Sequence, residues 1–133
     1  MILITGGLGY LGGRIAAHLI LAGFKVRIAS SRKFPKIPSV LSSCEIVYVD
    51  FFDNTSLESA CNNVSTILHL AGINAANSSD DPESALLING LGTLKLLRAA
   101  EKEEVNKFLF FSTIHVYGYP LINKIDETKV PNP

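Results

Sequence analysis

The sequence predicts an α/β domain whose core is a doubly wound parallel sheet with strand order 3-2-1-4-5. Three observations lead there. Short apolar runs alternate with segments whose apolar residues recur at helical spacing, which implies parallel strands covered by helices on both faces. The first run enters a glycine turn and then a helix, the opening of a βαβ unit. Right-handed crossovers between parallel strands then favour the doubly wound order.

The elements follow in sequence. ILIT, residues 2 to 5, is the first strand. In the helix after it Leu11, Ile15, Leu19 and Ala22 share one side, and Gly23 stops it. KVRIAS is the second strand. SRKFPKIPSVLSS, with two prolines and four serines, is an irregular connection with at most a short helix around Ser39 to Leu41. EIVYVD is the third strand. Asn54 or Thr55 is the expected cap of a helix over SLESAC, with Glu58 in capping-box register to Thr55. STILHLAG is the fourth strand, and the polar NAANSSDD after it reads as a loop.

Pro82 stands where a first helical turn tolerates it, and ESALLINGLGTLKLLRAAEKEE continues as one long helix. Leu87, Leu91, Leu94 and Leu97 recur at intervals of three and four, which predicts its inward side, with Lys95 and Arg98 reaching water. Gly90 and Gly92 each cost about 1 kcal/mol relative to alanine in a helix, so close packing is expected there. KFLFFS is the fifth strand. It is too uniformly apolar for an exposed edge, so a sixth strand and further helix are expected beyond it. On its own the chain is expected to associate through that uncovered edge. The tail from Tyr119 onward has no predicted element.

At 133 residues the chain buries one core, and residues 1 to 133 read as one domain. Twelve basic and twelve acidic residues cancel without forming like-charge blocks, so neither a nucleic-acid groove nor a polybasic membrane patch is expected. Cys44 and Cys61 form no CxxC pair, which argues against a disulfide framework or zinc site and fits a reducing cytoplasm. The three histidines, His18, His69 and His115, lack metal-site spacing, so no metal is expected; His69 reads as packing at a strand end. MILI is too short for a signal or spanning segment.

The chemistry concentrates in TGGLGYLG. Gly6, Gly9 and Gly12 lie at three-residue intervals between the first strand and its helix, with Tyr10 and Leu11 between the last two. Such a turn needs a positive-φ residue, a backbone that can approach a pyrophosphate, and a helix close to the sheet, and glycine meets all three needs. The helix N-terminus offers unpaired N–H groups and partial positive charge to phosphates. A turn that serves packing alone is the plainer reading; the strand before and the helix after favour the Rossmann-type dinucleotide site.

Four motifs stand in order: Gly6-x-x-Gly9-x-x-Gly12 after Thr5, HLAG at the fourth strand, NGLGT in the long helix, and FFSTIHVYG after the fifth strand. Together they resemble the extended short-chain dehydrogenase/reductase family, the NAD(P)-dependent epimerases and dehydratases, from Ile2 to about Gly118. The resemblance implies that Ser30, Ser31 and Arg32, with Lys33, read the adenosine ribose at the end of the second strand. No carboxylate stands there, and hydroxyls beside a guanidinium suit a 2′-phosphate, so NADP is expected ahead of NAD. It further implies that Asp50 and Phe51 hold the adenine, that Leu70, Ala71 and Gly72 lie along the nicotinamide ribose, and that Asn89 helps order the active site.

The same resemblance implies that Thr113, supported by Ser112, is the catalytic hydroxyl, donating to the substrate oxygen as hydride moves to or from the nicotinamide. The family's general acid/base is a Tyr-x-x-x-Lys pair, and residues 1 to 133 contain none. The sequence reading is therefore of an incomplete dinucleotide-binding domain, truncated before the later strands and the substrate-binding part, that binds cofactor without turnover. The implied parent is an epimerase, dehydratase or reductase acting by hydride transfer on a nucleotide sugar. The alternative is a non-catalytic NAD(P)-binding sensor of the same fold.

Overall fold

The computed structural model describes residues 1 to 120 and 124 to 133. Five strands, β1 (Ile2–Thr5), β2 (Val26–Ser30), β3 (Glu45–Tyr48), β4 (Thr66–His69) and β5 (Lys107–Phe110), form one parallel sheet. Their order is β3-β2-β1-β4-β5, as predicted. Register sets Thr5, the last residue of β1, beside Ala29 on one side and His69 on the other. The winding reverses between β1 and β4, so their C-terminal ends form the switch point where such sheets open a crevice.

Strand alternation splits the core in two. Leu3 faces one side and Ile4 the other, because successive side chains of a strand point to opposite faces. Over Ile4, Val26 and Ile28 lies α1 (Tyr10–Leu21), packed through Ile15, Ala16 and Leu19, with Leu41 from a 3-10 turn at Ser39–Leu41. Over Leu3, Ala29 and Ile67 lie α2 (Asn54–Cys61) and α5 (Thr93–Lys102), through Leu57, Ala60, Leu96 and Ala99.

The structure corrects four local expectations. The cap of α2 is Asp53, whose carboxylate accepts from Thr55 N–H at 2.9 Å; Asn54 and Thr55 already lie within the helix. The loop after β4 contains a short helix, α3 (Ala75–Asp80), capped by the Asn74 side chain accepting from Asn77 N–H. The long helix begins as α4 (Pro82–Ala85), capped by Asp81, and winds as a π stretch over Leu86–Gly92 before becoming α5. The inward stripe is Ala85, Gly92, Leu96, Ala99 and Ala100, which keeps helical spacing across the π stretch, so Leu87, Leu91, Leu94 and Leu97 lie off it and are 40% to 45% exposed. Small residues there let α5 sit close. Finally, close packing accounts for Gly92, where a Cβ would stand 3.2 Å from the Phe51 ring, but not for Gly90, whose nearest neighbour is a flexible Leu86 methyl at 3.6 Å.

Arg27, inside β2, is the one charged side chain among the buried residues described. Its Nη1 donates to the carbonyls of Ala60 (2.8 Å) and Asn62 (2.7 Å), and its Nε lies 3.0 Å from Glu45 of β3. A cation therefore serves the carbonyls at the end of α2, which no backbone N–H within the helix can reach. At the other side of the sheet β5 is an edge strand, with Leu109, Phe110 and Phe111 each at least 40% exposed.

Candidate cofactor and active site

The turn after β1 is shaped by what cannot fit. Gly6 has φ +70°, and a Cβ on it would lie 2.9 Å from the Ala71 nitrogen, so the turn and the segment after β4 approach backbone to backbone. A Cβ at Gly12 would overlap the Gly6 carbonyl, which brings the first turn of α1 against the loop. Gly9 is the helix cap, extended and without a side chain, and the first turn carries no acidic residue. The leading N–H groups of α1 are thus left to an outside anion.

A cleft of about 230 Å³ opens beside this turn, lined by Gly6, Leu8, Gly9, Ala29, Ser30 to Arg32, Val49, Phe51 and Ala71. It joins the glycine turn, the end of β2, the residues after β3 and the residues after β4. Leu8, Ala29 and Val49 were not foreseen; they are apolar wall, which carries no motif in sequence. Gly12 is buried beneath the turn, and Tyr10, Leu11, Leu70, Gly72, Asp50, Asn89 and Thr113 fall outside the lining.

Ser30 lines the cleft with its hydroxyl engaged locally. Its hydroxyl accepts from Arg32 N–H at 3.0 Å and lies 3.1 Å from the Arg32 carbonyl, so it closes a local turn instead of pointing freely at a ligand. Asp50 Oδ1 accepts from Phe52 N–H at 2.8 Å, and Lys33 is held over the Tyr48 ring. Ser31 and Arg32 remain exposed at the cleft.

Further along the strand ends, Asn89 of the π stretch clamps the loop after β4: its Oδ1 accepts from Ile73 N–H at 2.7 Å and its Nδ2 donates to Ile73 O at 3.0 Å. Phe111 N–H donates to His69 O, which carries the chain past β4 to Thr113. Thr113 is exposed and extended, and its Oγ1 accepts from His115 N–H at the start of a 3-10 turn, Ile114–Tyr117. That bond uses a lone pair and leaves the hydroxyl proton free to donate. Among the described residues no group of His, Cys, Asp and Glu is placed to hold a metal ion, and no helix is long and apolar enough to cross a membrane.

A family model described as the NAD dependent epimerase/dehydratase family matches residues 2–133. The chain belongs to that family. Among curated relatives, the UDP-glucose 4-epimerase of Schizosaccharomyces pombe is 31% identical over 129 residues, covering 90% of this chain and 36% of its own. Among solved structures, the Thermus thermophilus UDP-glucose 4-epimerase in complex with NAD superposes with a TM-score of 0.86 at 29% identity, over 99% of this chain and 44% of that one. The Thermotoga maritima UDP-glucose 4-epimerase with UDP-glucose gives 0.84 at 28% identity, over 99% and 44%. The chain spans less than half the length of the curated relatives it matches. As an epimerase/dehydratase family member it has the Rossmann-type fold that its motifs implied, and the parallel sheet above is that fold.

Proposed function

We propose that this chain is the NAD-binding part of a nucleotide-sugar epimerase. The observation that carries the proposal is the glycine turn: Gly6 and Gly12 have no room for a side chain, and Gly9 caps α1 with bare N–H groups. A diphosphate suits that cradle because it needs close backbone approach and several donors with no competing carboxylate. In this reading Gly6, Gly9, Tyr10, Leu11 and Gly12 hold the diphosphate, and Ser31 and Arg32 border the adenosine ribose. Phe51 and the remaining Asp50 oxygen meet the adenine, and Leu70 to Gly72, clamped by Asn89, flank the nicotinamide ribose.

NAD replaces NADP as the cofactor of choice. Several similar solved structures are complexes with NAD, and the Ser30 hydroxyl on which a 2′-phosphate site would draw is spent on Arg32. When bound, NAD supplies a reversible hydride acceptor. The chain's own contribution to the chemistry is Thr113, whose free proton donates to the substrate oxygen, with Ser112 beside it. The substrate class is a nucleotide sugar, as the names of the relatives indicate, and the working compartment is the cytoplasm.

Residues 1 to 133 contain no Tyr-x-x-x-Lys pair, so the general acid/base is not among them. The second reading is a binding module of the same fold that holds the cofactor without turnover. NADH and NADPH titrations followed by thermal shift test the proposal: a larger response to NADH is expected, and equal or absent responses overturn the NAD assignment. Incubation of the full-length protein with UDP-glucose and NAD separates the two readings: epimerised product supports the enzyme, and cofactor binding without product supports the module.

A further inference from the structure

The cofactor reading leaves one buried polar group without a task. His69, at the end of β4, is 1% exposed. Its Nδ1 lies 2.6 Å from Thr5 Oγ1 and its Nε2 lies 2.8 Å from Thr93 Oγ1. Around the ring stand Phe51, Phe108 and Phe110, with centroids 6.1, 5.7 and 5.8 Å away. The elements packed against it, β1, β5, the turn after β3 and the start of α5, thus offer it hydroxyls and phenyl rings. No titratable or charged side chain is among these contacts.

Counting hydrogens leaves one arrangement. Thr93 Oγ1 donates its single proton to Asn89 O at 2.7 Å, so in the contact with His69 it must accept, and Nε2 carries the hydrogen. A neutral ring then has a bare Nδ1. Thr5 Oγ1 accepts from Ala71 N–H at 3.2 Å and donates its own proton to that Nδ1. Two directed chains result: Ala71 N–H to Thr5 to His69, and His69 to Thr93 to the Asn89 carbonyl. Asn89 in turn grips both backbone groups of Ile73. The loop after β4 is therefore tied at Ala71 to the strand that enters the glycine turn and at Ile73 to the π stretch, with one imidazole between the two anchors.

We propose that His69 is a positioning residue of the cofactor cleft, a neutral Nε2–H imidazole that fixes residues 71 to 73 against the nicotinamide half of the dinucleotide. The inference rests on the NAD reading above for the ligand; the hydrogen-bond circuit stands on geometry alone. Burial pushes the His69 pKa down to about 4, in keeping with a ring that stays neutral. Adding a proton at Nδ1 would place a donor against a hydroxyl that is already donating to it, and would reverse the first chain.

Long-range proton–nitrogen correlation on the intact chain reads the tautomer directly. A bare Nδ1 with protonated Nε2, unchanged between about pH 8 and 5.5, is expected; a protonated Nδ1, or titration near the ordinary value of about 6.5, overturns the assignment. NADH affinity reads the positioning role. Thr93→Val and Thr5→Val should each weaken NADH by about tenfold, the scale of one lost buried hydrogen bond. Thr93→Ser and Thr5→Ser should restore most of it, since a role in packing alone would be served better by valine than by serine. Valine variants that bind NADH as the parent does sink the positioning role. A parent chain that binds no NADH sinks the cofactor reading and the positioning role together, and the nitrogen spectrum then judges the circuit by itself.

Discussion

β2 and β5 are both short, apolar strands of the same sheet, yet all five residues of β2 are buried, whereas in β5 only Phe108 escapes high exposure. The difference lies in their neighbours. β2 has strands on both sides, α1 over one face and α2 over the other, whereas β5 has β4 on one side and open edge on the other. Burial is thus a property of position in the sheet, and hydrophobic sequence alone does not confer it. The same contrast divides the candidate site. The cleft beside the glycine turn is walled by the ends of β1 to β4, while Thr113 beyond β5 stands in the open.

The strongest challenge to this contrast is to fill the turn. Gly12→Val forces a side chain into the Gly6 carbonyl, and loss of NADH binding together with at least about 3 kcal/mol of stability is expected, by calorimetry and ligand titration. The same substitution at Gly90, where space is available, should leave NADH binding intact. Equal effects would mean that the turn is not the specialised half.

Next in size is Arg27→Ala. It strands the Ala60 and Asn62 carbonyls and leaves Glu45 without its partner, so a loss of about 3 kcal/mol is expected in urea unfolding. A charged residue removed from β5, Lys107→Ala, lies on an exposed position and should change stability by no more than about 0.5 kcal/mol.

His69 makes the buried side of the boundary sensitive to acid. In the unfolded chain the ring takes a proton near 6.5, and in the folded protein only near 4. The unfolded state therefore binds more protons between these values, and stability should be full above pH 6.5 and fall by about 3 kcal/mol as pH drops to 4. A His69→Phe variant that folds should lose this pH dependence.

The exposed side is sharpened by sedimentation. Self-association through the β5 edge is expected, and Leu109→Lys with Phe111→Lys should reduce it with little cost in stability, because both residues are already 40% to 45% exposed. A monomeric parent at high concentration would remove the expectation. Smallest of all is Glu58→Gln, which breaks an exposed 2.7 Å pair with Lys102 and should leave the melting temperature unchanged in physiological salt.

The sequence alone determined the strand order, the glycine turn and the location of all five strands, although only the first strand has both ends where the pattern puts them, the others being read one to three residues too long at an end. These depend on local rules: alternation of apolar runs, the absence of a Cβ, and the handedness of crossovers. Tertiary structure decided which side of the long helix turned inward: two stripes have helical spacing, and the one with the smaller residues, Ala85, Gly92, Leu96, Ala99 and Ala100, packs inward in place of the leucine stripe. It also decided that Ser30 serves Arg32, and it brought Thr5, His69 and Thr93 together across 64 and 24 residues of separation. No spacing rule encodes such contacts. They arise only when parallel strands align their ends and a hydroxyl without water must find a partner in another element.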